Sequence, residues 1–260
     1  MIVVKLQGGL GNQLFQWAYG KSLSLKLDQP LYLDLSFLNS FIPGITKREY
    51  ELYYFDKIQD QIIQSLSEYR LDNFRYQKIT DNSNLYNNTH INYYLDGYFQ
   101  NEKYFIEFQD LIKNQLQIKE HYLYTISDIA KQITECNSLS LHVRRTDYLL
   151  HDYHLPKGTQ YYYAALEQIK SYDKIFIFSD DIEWCKANIK YHNSVFIENL
   201  TNIQDLYLMS LCKNNIIANS SFSWWAAWLN NNPGKTVICP NSWFYAIDAK
   251  NFVPSSWIKI

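Results

Sequence analysis

A chain of 260 residues has room for one large domain or two small ones, and 47% hydrophobic against 19% charged residues makes it globular, not disordered or fibrous. A formal net charge of −2 gives no electrostatic reason to expect nucleic acid or an anionic membrane as a partner. The start, MIVVKLQGG, lacks a signal-peptide layout, and no run of 18 apolar residues is long enough to span a bilayer. The widely spaced Cys136, Cys185, Cys212 and Cys239 argue against a zinc site or a disulfide scaffold, so a reduced cytoplasmic setting is expected.

Residues 2–6 predict a short strand, 7–11 a glycine loop, 12–27 a helix and 30–33 a second strand ending at Asp34. Residues 40–95 are polar, tyrosine-rich and without clear period. Residues 93–100 predict strand then turn, and 102–117 and 126–134 predict helices that close the first half. Beyond that the pattern is regular. Apolar runs at 139–143, 175–178, 195–197, 216–218 and 237–239 alternate with helical stretches at 160–171, 181–190, 202–213 and 222–231. Such alternation, with continuous apolar strands, is the pattern of a parallel sheet covered on both faces. The expected architecture is α/β, with two Rossmann-like halves at 1–135 and 136–260; whether the C-terminal tail packs back on the first half stays open. Ligands in such sheets bind at the carboxyl ends of the strands.

Four motifs fall at those ends. In GGLGNQLFQWAYG the glycines permit a tight turn and close approach to a phosphate or sugar. The third glycine of a dinucleotide fingerprint is missing, though Asp34 stands where a ribose-binding acid would, so an NAD reading stays open beside a plain strand-to-helix turn. The plain turn leaves the polar pair Asn12 and Gln13 unexplained.

In LHVRRTDYLL, strand alternation puts Ser138, Ser140, His142 and Arg144 on one face and Leu139, Leu141 and Val143 on the other. Arg145 faces away, and Asp147 is near enough to hold one guanidinium. An arginine at a strand end offers phosphate a planar, permanently charged fork. The alternative is a salt-bridge cluster tying strand to helix, with His142 a core residue.

In FSDDIEW, Asp180 or Asp181 is a helix N-cap, and no third ligand stands at metal-binding spacing. Asn219-Ser220-Ser221 precedes a helix whose first N–H groups and dipole suit an anion, or are simply capped. Trp224, Trp225 and Trp228 recur at helical spacing and are expected in the core. The aromatic fraction of 17% suits core filling and stacking on sugar rings alike.

Together GGLGNQLFQWAYG, DGYFQNEKYF, HVRRTDY, FSDD and ANSSFSWWAAWL resemble glycosyltransferase family 11, the bacterial α-1,2-fucosyltransferases, over nearly the whole chain. The resemblance implies a GT-B-like fold with a cleft between the halves. It also implies inverting, metal-independent transfer of fucose from GDP-β-L-fucose, with no cofactor. It places Arg144 on the β-phosphate, His142 against the nucleotide, and Asp205 on the guanine amino group. Asn219, Ser220, Ser221 and Phe222 complete the phosphate cradle, and Asp180 and Asp181 form an acidic pair beside the nucleoside. Asp152 is offset from Arg144 as a proposed catalytic glutamate is in the α-1,6 relatives. Asp147, Asp34 and Asp96 are rivals for the base, while Asn12 orients acceptor or leaving group. Thr146 stands where a glycine is common. Trp17, Tyr98, Phe99 and Gln100 are acceptor candidates, each with packing as its alternative. A galactose-terminated glycan such as lactose or an O-antigen precursor is implied as acceptor, and peripheral association with the inner face of a membrane is left open. Competing expectations are a GT-B transferase using another nucleotide sugar and a sugar-binding protein without catalysis.

Overall fold

The computed structural model describes residues 1–41, 43–44, 46–64, 76–81, 91–150, 155–245 and 247–260. The chain divides into two units, Met1–Lys119 and Glu120–Ile260.

In the first unit, β1 (Ile2–Lys5) leads through a glycine loop into α1 (Leu10–Leu27) and back along β2 (Leu31–Asp34). A short α2 (Ser36–Asn39), β3 (Gln61–Ile63), β4 (Tyr76–Ile79), β5 (Asn92–Leu95) and α3 (Gln109–Gln115) follow. The strands run parallel in the order β3-β2-β1-β5-β4. Ile2 and Val4 of the central β1 are fully buried, and α1 lies directly on them: a Cβ at Gly20 would collide with Val4. β3 and β4 close the two edges, and most of their side chains reach solvent, so no apolar run marks them in the sequence. The helix expected over 102–117 is two 3-10 turns, Glu102–Tyr104 and Ile106–Phe108, followed by α3.

The second unit opens with α4 (Ser127–Thr134), which packs on α7 (Asn202–Leu211). Gln204 of α7 ties the approach to α4, donating to Tyr122 O at 2.9 Å and Thr125 Oγ1 at 3.0 Å. For this reason residues 120–135 group with the C-terminal half. β6 (Ser138–Val143), α5 (Thr159–Glu167), β7 (Lys174–Ser179), α6 (Ile182–Asn188) and β8 (Ser194–Phe196) build one wing. After α7, β9 (Asn214–Ile216), α8 (Ser221–Leu229) and β10 (Val237–Cys239) build the other. A small hairpin of β11 (Ser242–Phe244) and β12 (Ile247–Asp248) follows, and the tail adds β13 (Ile258–Lys259) alongside β10. The sheet is parallel throughout, in the order β13-β10-β9-β6-β7-β8.

Its core joins Leu139, Leu141 and Val143 to Ile175, Ile177, Ile216 and Ile238. Trp224 and Trp225 are fully buried, and the Trp224 indole donates to Phe252 O at 2.9 Å. β9 starts two residues before the apolar run that was expected to form it. Asn215 can lie in the sheet because Nδ2 donates to Ser140 Oγ (2.7 Å) and Met209 O (2.8 Å), while Oδ1 accepts from Asn230 at 2.7 Å. Buried amides are tolerated when satisfied in this way. Among the described residues no helix is long and apolar enough to cross a membrane.

In the first sheet the chain runs from β1 out to β2 and β3, crosses to β4 at the far edge and returns inward to β5, which sets the carboxyl ends of β1 and β5 side by side. The second sheet has a topological switch point, where the chain runs outward in opposite directions from β6, through β7 to β8, and from β9, through β10 to β13. Crevices at the carboxyl ends of such strand pairs are the ligand sites of open α/β sheets.

Candidate active site

At the switch point of the second sheet β6 delivers His142 and Arg144, and the turn after β9 delivers Asn219, Ser220 and the start of α8. Arg144 is held by two carboxylates, Nη2 to Asp147 Oδ2 at 2.6 Å and Nη1 to Asp180 Oδ2 at 3.3 Å. Burial works against its charge, but Asp180 and Asp147 outweigh it, and the guanidinium pKa rises. Tyr148 closes the crevice. Its ring lies 5.6 Å from the Arg144 guanidinium, and its hydroxyl donates to Asn219 O at 3.0 Å. Burial pushes the Tyr148 phenol up to about 12, so it stays a neutral donor.

His142 meets Phe222 across the same crevice, with ring centroids 5.7 Å apart. Burial, reinforced by the Arg144 charge, drives the imidazole pKa far down, so His142 is neutral; Nδ1 has no hydrogen-bond partner among the described residues. On the far wall Ser220 caps α8, its side chain accepting from Phe222 N at 3.3 Å. The remaining first-turn N–H groups of α8 open toward the crevice with the positive end of the helix dipole, while Ser221 and Phe222 stay partly exposed. Asn219 is nearly fully buried; Nδ2 donates to Trp243 O at 2.8 Å, and Oδ1 has no partner among the described residues.

Asp180 and Asp181 were expected beside a nucleoside. The structure instead commits both to the arginine turn. Asp180 accepts from Arg145 N (2.9 Å), Thr146 N (3.1 Å) and the Thr146 hydroxyl, besides pairing with Arg144. Thr146, where glycine is common, thus adds a bond that glycine lacks. Asp181 caps α6 through Trp184 N and takes Arg145 Nε at 3.2 Å, leaving the Arg145 guanidinium over the Trp184 ring at 4.0 Å. Arg145 therefore anchors the turn and faces away from the crevice.

Asp205 lies in the first turn of α7, which packs on α8, and makes no bond to the Arg144 cluster. Burial pushes its carboxyl up to about 7, and Oδ1 has no partner among the described residues. Asp152 lies outside the described residues. Among those described, no group of three His, Cys, Asp or Glu side chains is arranged to hold a metal ion.

The neighbouring carboxyl ends of β1 and β5 in the first sheet are lined by amides. Asn12, just past the glycine loop, accepts from Gln100 Nε2 at 2.8 Å, which bridges the ends of β1 and β5. Gly8 has φ +77, and a Cβ there would collide with Asn12 Nδ2, so only glycine fits. Gln13 does not face the crevice. It sews in a neighbouring segment, Nε2 donating to Gly8 O (2.9 Å) and Glu49 O (2.7 Å) while Oε1 accepts from Glu51 N (2.8 Å). Gln16, fully buried, accepts from Gln7 N and donates to Gly97 O.

Two acceptor candidates are not available to a sugar. Trp17 is fully buried with its indole bonded to Asp60 (2.8 Å), and Phe99 is fully buried at φ +51, packed on Tyr19 at 4.8 Å. Stacking needs an exposed ring face, so both are packing residues. Tyr98 is exposed and Gln100 partly so; Asp81 shapes their loop by accepting from the Tyr98 and Phe99 N–H groups.

Asp34 is fully buried, one oxygen taken by Tyr94 Oη (2.8 Å) and the other by Ser36 N (2.9 Å). It is neither a ribose ligand nor a base, and the NAD reading loses its acid. Asp96 is clamped between Lys5 (3.1 Å) and Lys78 (2.7 Å). Burial raises its pKa, but the two ammonium groups more than compensate and lower it, which makes it a weaker base than a free carboxylate. The sequence reading overlooked Tyr148 and the roles of Gln13 and Gln16. Tyr148 was within reach, since it lies four residues after Arg144 in the 3-10 turn Asp147–Leu150.

Two parallel-sheet units, each with a polar cluster at the carboxyl ends of neighbouring central strands, are the architecture of GT-B-like glycosyltransferases. The fold is similar to that of the α-1,6-fucosyltransferase NodZ soaked with GDP-fucose, an enzyme from Bradyrhizobium: TM-score 0.56 at 13% identity, covering 88% of this chain and 91% of that one. The chain belongs to glycosyl transferase family 11, which matches residues 1–260. It is 33% identical to the O-antigen biosynthesis glycosyltransferase WbnK of Escherichia coli, over 98% of this chain and 99% of that protein. It is 31% identical to an α-1,2-colitosyltransferase of Escherichia coli, over 100% and 99%. The protein is thus a family 11 glycosyltransferase.

Proposed function

We propose that the protein transfers L-fucose from GDP-β-L-fucose to the 2-hydroxyl of a terminal galactose, with inversion and without metal. The observation that carries this reading is Arg144, fixed by Asp147 and Asp180 opposite the N-terminus of α8. As the bond to fucose breaks, negative charge grows on the β-phosphate of GDP. A guanidinium already oriented, and helix N–H groups already aligned, meet that charge with no reorganisation. Aimed donors of this sort contribute about 3–4 kcal/mol each to the transition state.

The same reading gives the donor's diphosphate to Arg144, Ser220, Ser221 and Phe222, its nucleoside to His142 and Asn219, and its guanine amino group to Asp205. Asp180 and Asp181 act on the donor through the arginine turn. The acceptor belongs to the first unit, at Asn12, Tyr98 and Gln100. Lactose and galactose-terminated O-antigen precursors fit as acceptors, and the inner face of the cytoplasmic membrane is where such precursors would be met.

The test is fucosyl-lactose formation from GDP-fucose and lactose, with and without EDTA, for wild type and Arg144→Ala. Product at equal rates with and without EDTA, lost in Arg144→Ala with the fold intact, is expected. Wild-type-like turnover by Arg144→Ala would sink the assignment. A second reading, GDP-colitose as donor, is favoured by the likeness to the colitosyltransferase. Offering both donors decides it: a higher kcat/KM for the colitosyl donor replaces fucose.

A further inference from the structure

We infer that Tyr148 is a positioning residue of the donor site, a strut that sets the distance between the Arg144 guanidinium and the N-terminus of α8; this rests on the transferase reading above. The sheet itself leaves that distance open. β6 is in register with β7 as far as Val143 and Ser179, but with β9 only as far as Leu141 and Ile216. Past that pair β9 is drawn to its other neighbour, Ile217 N donating to Ile238 O at 2.9 Å. The strands that carry the two phosphate grips thus part before Arg144 is reached.

The arginine turn is fastened on its β7 side. Asp180 accepts from Arg145 N at 2.9 Å and Thr146 N at 3.1 Å, and Asp181 takes Arg145 Nε at 3.2 Å. Both aspartates directly follow β7, so these bonds hold the turn to β7 and α6 and leave its spacing from α8 unset.

Tyr148 supplies the tie to the other side. It lies in the 3-10 turn Asp147–Leu150, and its ring packs 5.6 Å from the Arg144 guanidinium. Across the crevice its hydroxyl donates to Asn219 O at 3.0 Å, and the same phenol hydrogen-bonds with the Ser220 side chain. Those partners are themselves fixed: Asn219 Nδ2 donates to Trp243 O at 2.8 Å, and Ser220 is the N-cap of α8. One ring therefore meets the cation at its face and the foot of the anion-binding helix at its hydroxyl. With two rotatable bonds, a tyrosine side chain holds such a spacing more rigidly than a long aliphatic one.

The strut matters most in the transition state. The β-phosphate gains negative charge as its bond to the sugar breaks, so a misplaced guanidinium costs more there than in the bound donor. A displacement of about 1 Å can cost on the order of 10²-fold in rate.

The experiment compares wild type, Tyr148→Phe, Arg144→Lys and the double variant in transfer to lactose from GDP-fucose and from GDP-colitose, with thermal unfolding of each. Phenylalanine keeps the ring over the guanidinium and removes only the contact with α8. Its kcat should fall at least about 10-fold, while KM for the nucleotide sugar stays within about threefold and the protein stays folded at the assay temperature. In the Arg144→Lys background the same change should cost less than about threefold, because Tyr148 acts through Arg144. A smaller loss in kcat, or a KM that rises as far as kcat falls, overturns the inference. A multiplicative loss in the double variant, or unfolding of Tyr148→Phe at the assay temperature, overturns it too, since Tyr148 would then be a general support. All of these outcomes leave the transferase reading standing; absence of product from the wild type with both donors overturns that reading and this inference together.

Discussion

Asp180 accepts from two backbone N–H groups, one hydroxyl and one guanidinium, so its single carboxylate sets where the Arg144 fork points. Removing it strands several donors at once, each costing about 1–3 kcal/mol when left unpaired. Asp180→Ala should therefore weaken GDP binding by about 10–100-fold, and combining it with Arg144→Lys should add little, because both changes undo the same geometry. Calorimetric titration of the two single variants and the double variant checks this; additive losses would mean that Asp180 acts independently of Arg144. Asp205 carries a pH dependence of its own. Burial lifts its carboxyl from 3.8 to about 7, so between those values the folded state holds a proton that the unfolded state has released. Stability drawn from this group is present below pH 4 and is lost as pH rises through 7. Asp205→Asn should accordingly raise the unfolding temperature more at pH 8 than at pH 5. If the ionised form accepts from guanine, GDP affinity of the wild type should fall as pH drops below about 7, and this slope should vanish in Asp205→Asn. Equal slopes in both proteins would remove Asp205 from the nucleotide site.

At the scale of elements, GNQLFQ works as a set of staples on α1. Gln16 satisfies Gln7 N and Gly97 O inside the core, which joins the loop after β1 to the loop after β5. Gln16→Leu leaves both backbone groups buried and unpaired. It should lower unfolding stability by about 2–5 kcal/mol, measured by urea denaturation; a loss below 1 kcal/mol would show that water replaces the amide. The motif was legible as a strand-to-helix turn, but its function as a clasp was not, because Gln16 and Gly97 are 81 residues apart in sequence. The same limit hid Tyr148, whose partner Asn219 is 71 residues away, and the bonds from Asp180 back to residues 144–146. What hydropathy carries directly was readable: β1, β6, β7 and β10, covered on both faces, and the tryptophan helix α8. Edge strands β3 and β4 were not, since exposed faces leave no apolar run. β9 was misplaced by two residues because the Asn215 amide meets its bonding needs through Ser140, Met209 and Asn230, and no local pattern records that.

For the whole molecule, two sheets with separate polar clusters make ligand protection separable. A ligand that binds only the native state stabilises it by about 2.7 kcal/mol at 100 times its Kd, and local opening slows most where the ligand's contacts lie. If the donor belongs to the unit Glu120–Ile260, GDP should slow amide exchange at residues 142–149, 179–181 and 219–223. Exchange in β1, β2 and β5 should stay as it was. The Arg145 and Thr146 N–H groups are the sharpest reporters, because each is already bonded to Asp180 and exchanges only when the arginine turn opens. A galactoside acceptor should act on the other set, residues 8–13, 49–51 and 97–100. Hydrogen–deuterium exchange with GDP alone, lactose alone and both together reads the two sets independently. Protection of residues 8–13 by GDP alone would assign the first glycine loop to the nucleotide and reverse the division of labour argued here. With Arg144→Ala, GDP protection of the second set should disappear while the lactose pattern on the first persists, because the removed guanidinium belongs to one sheet and the amide clasp to the other.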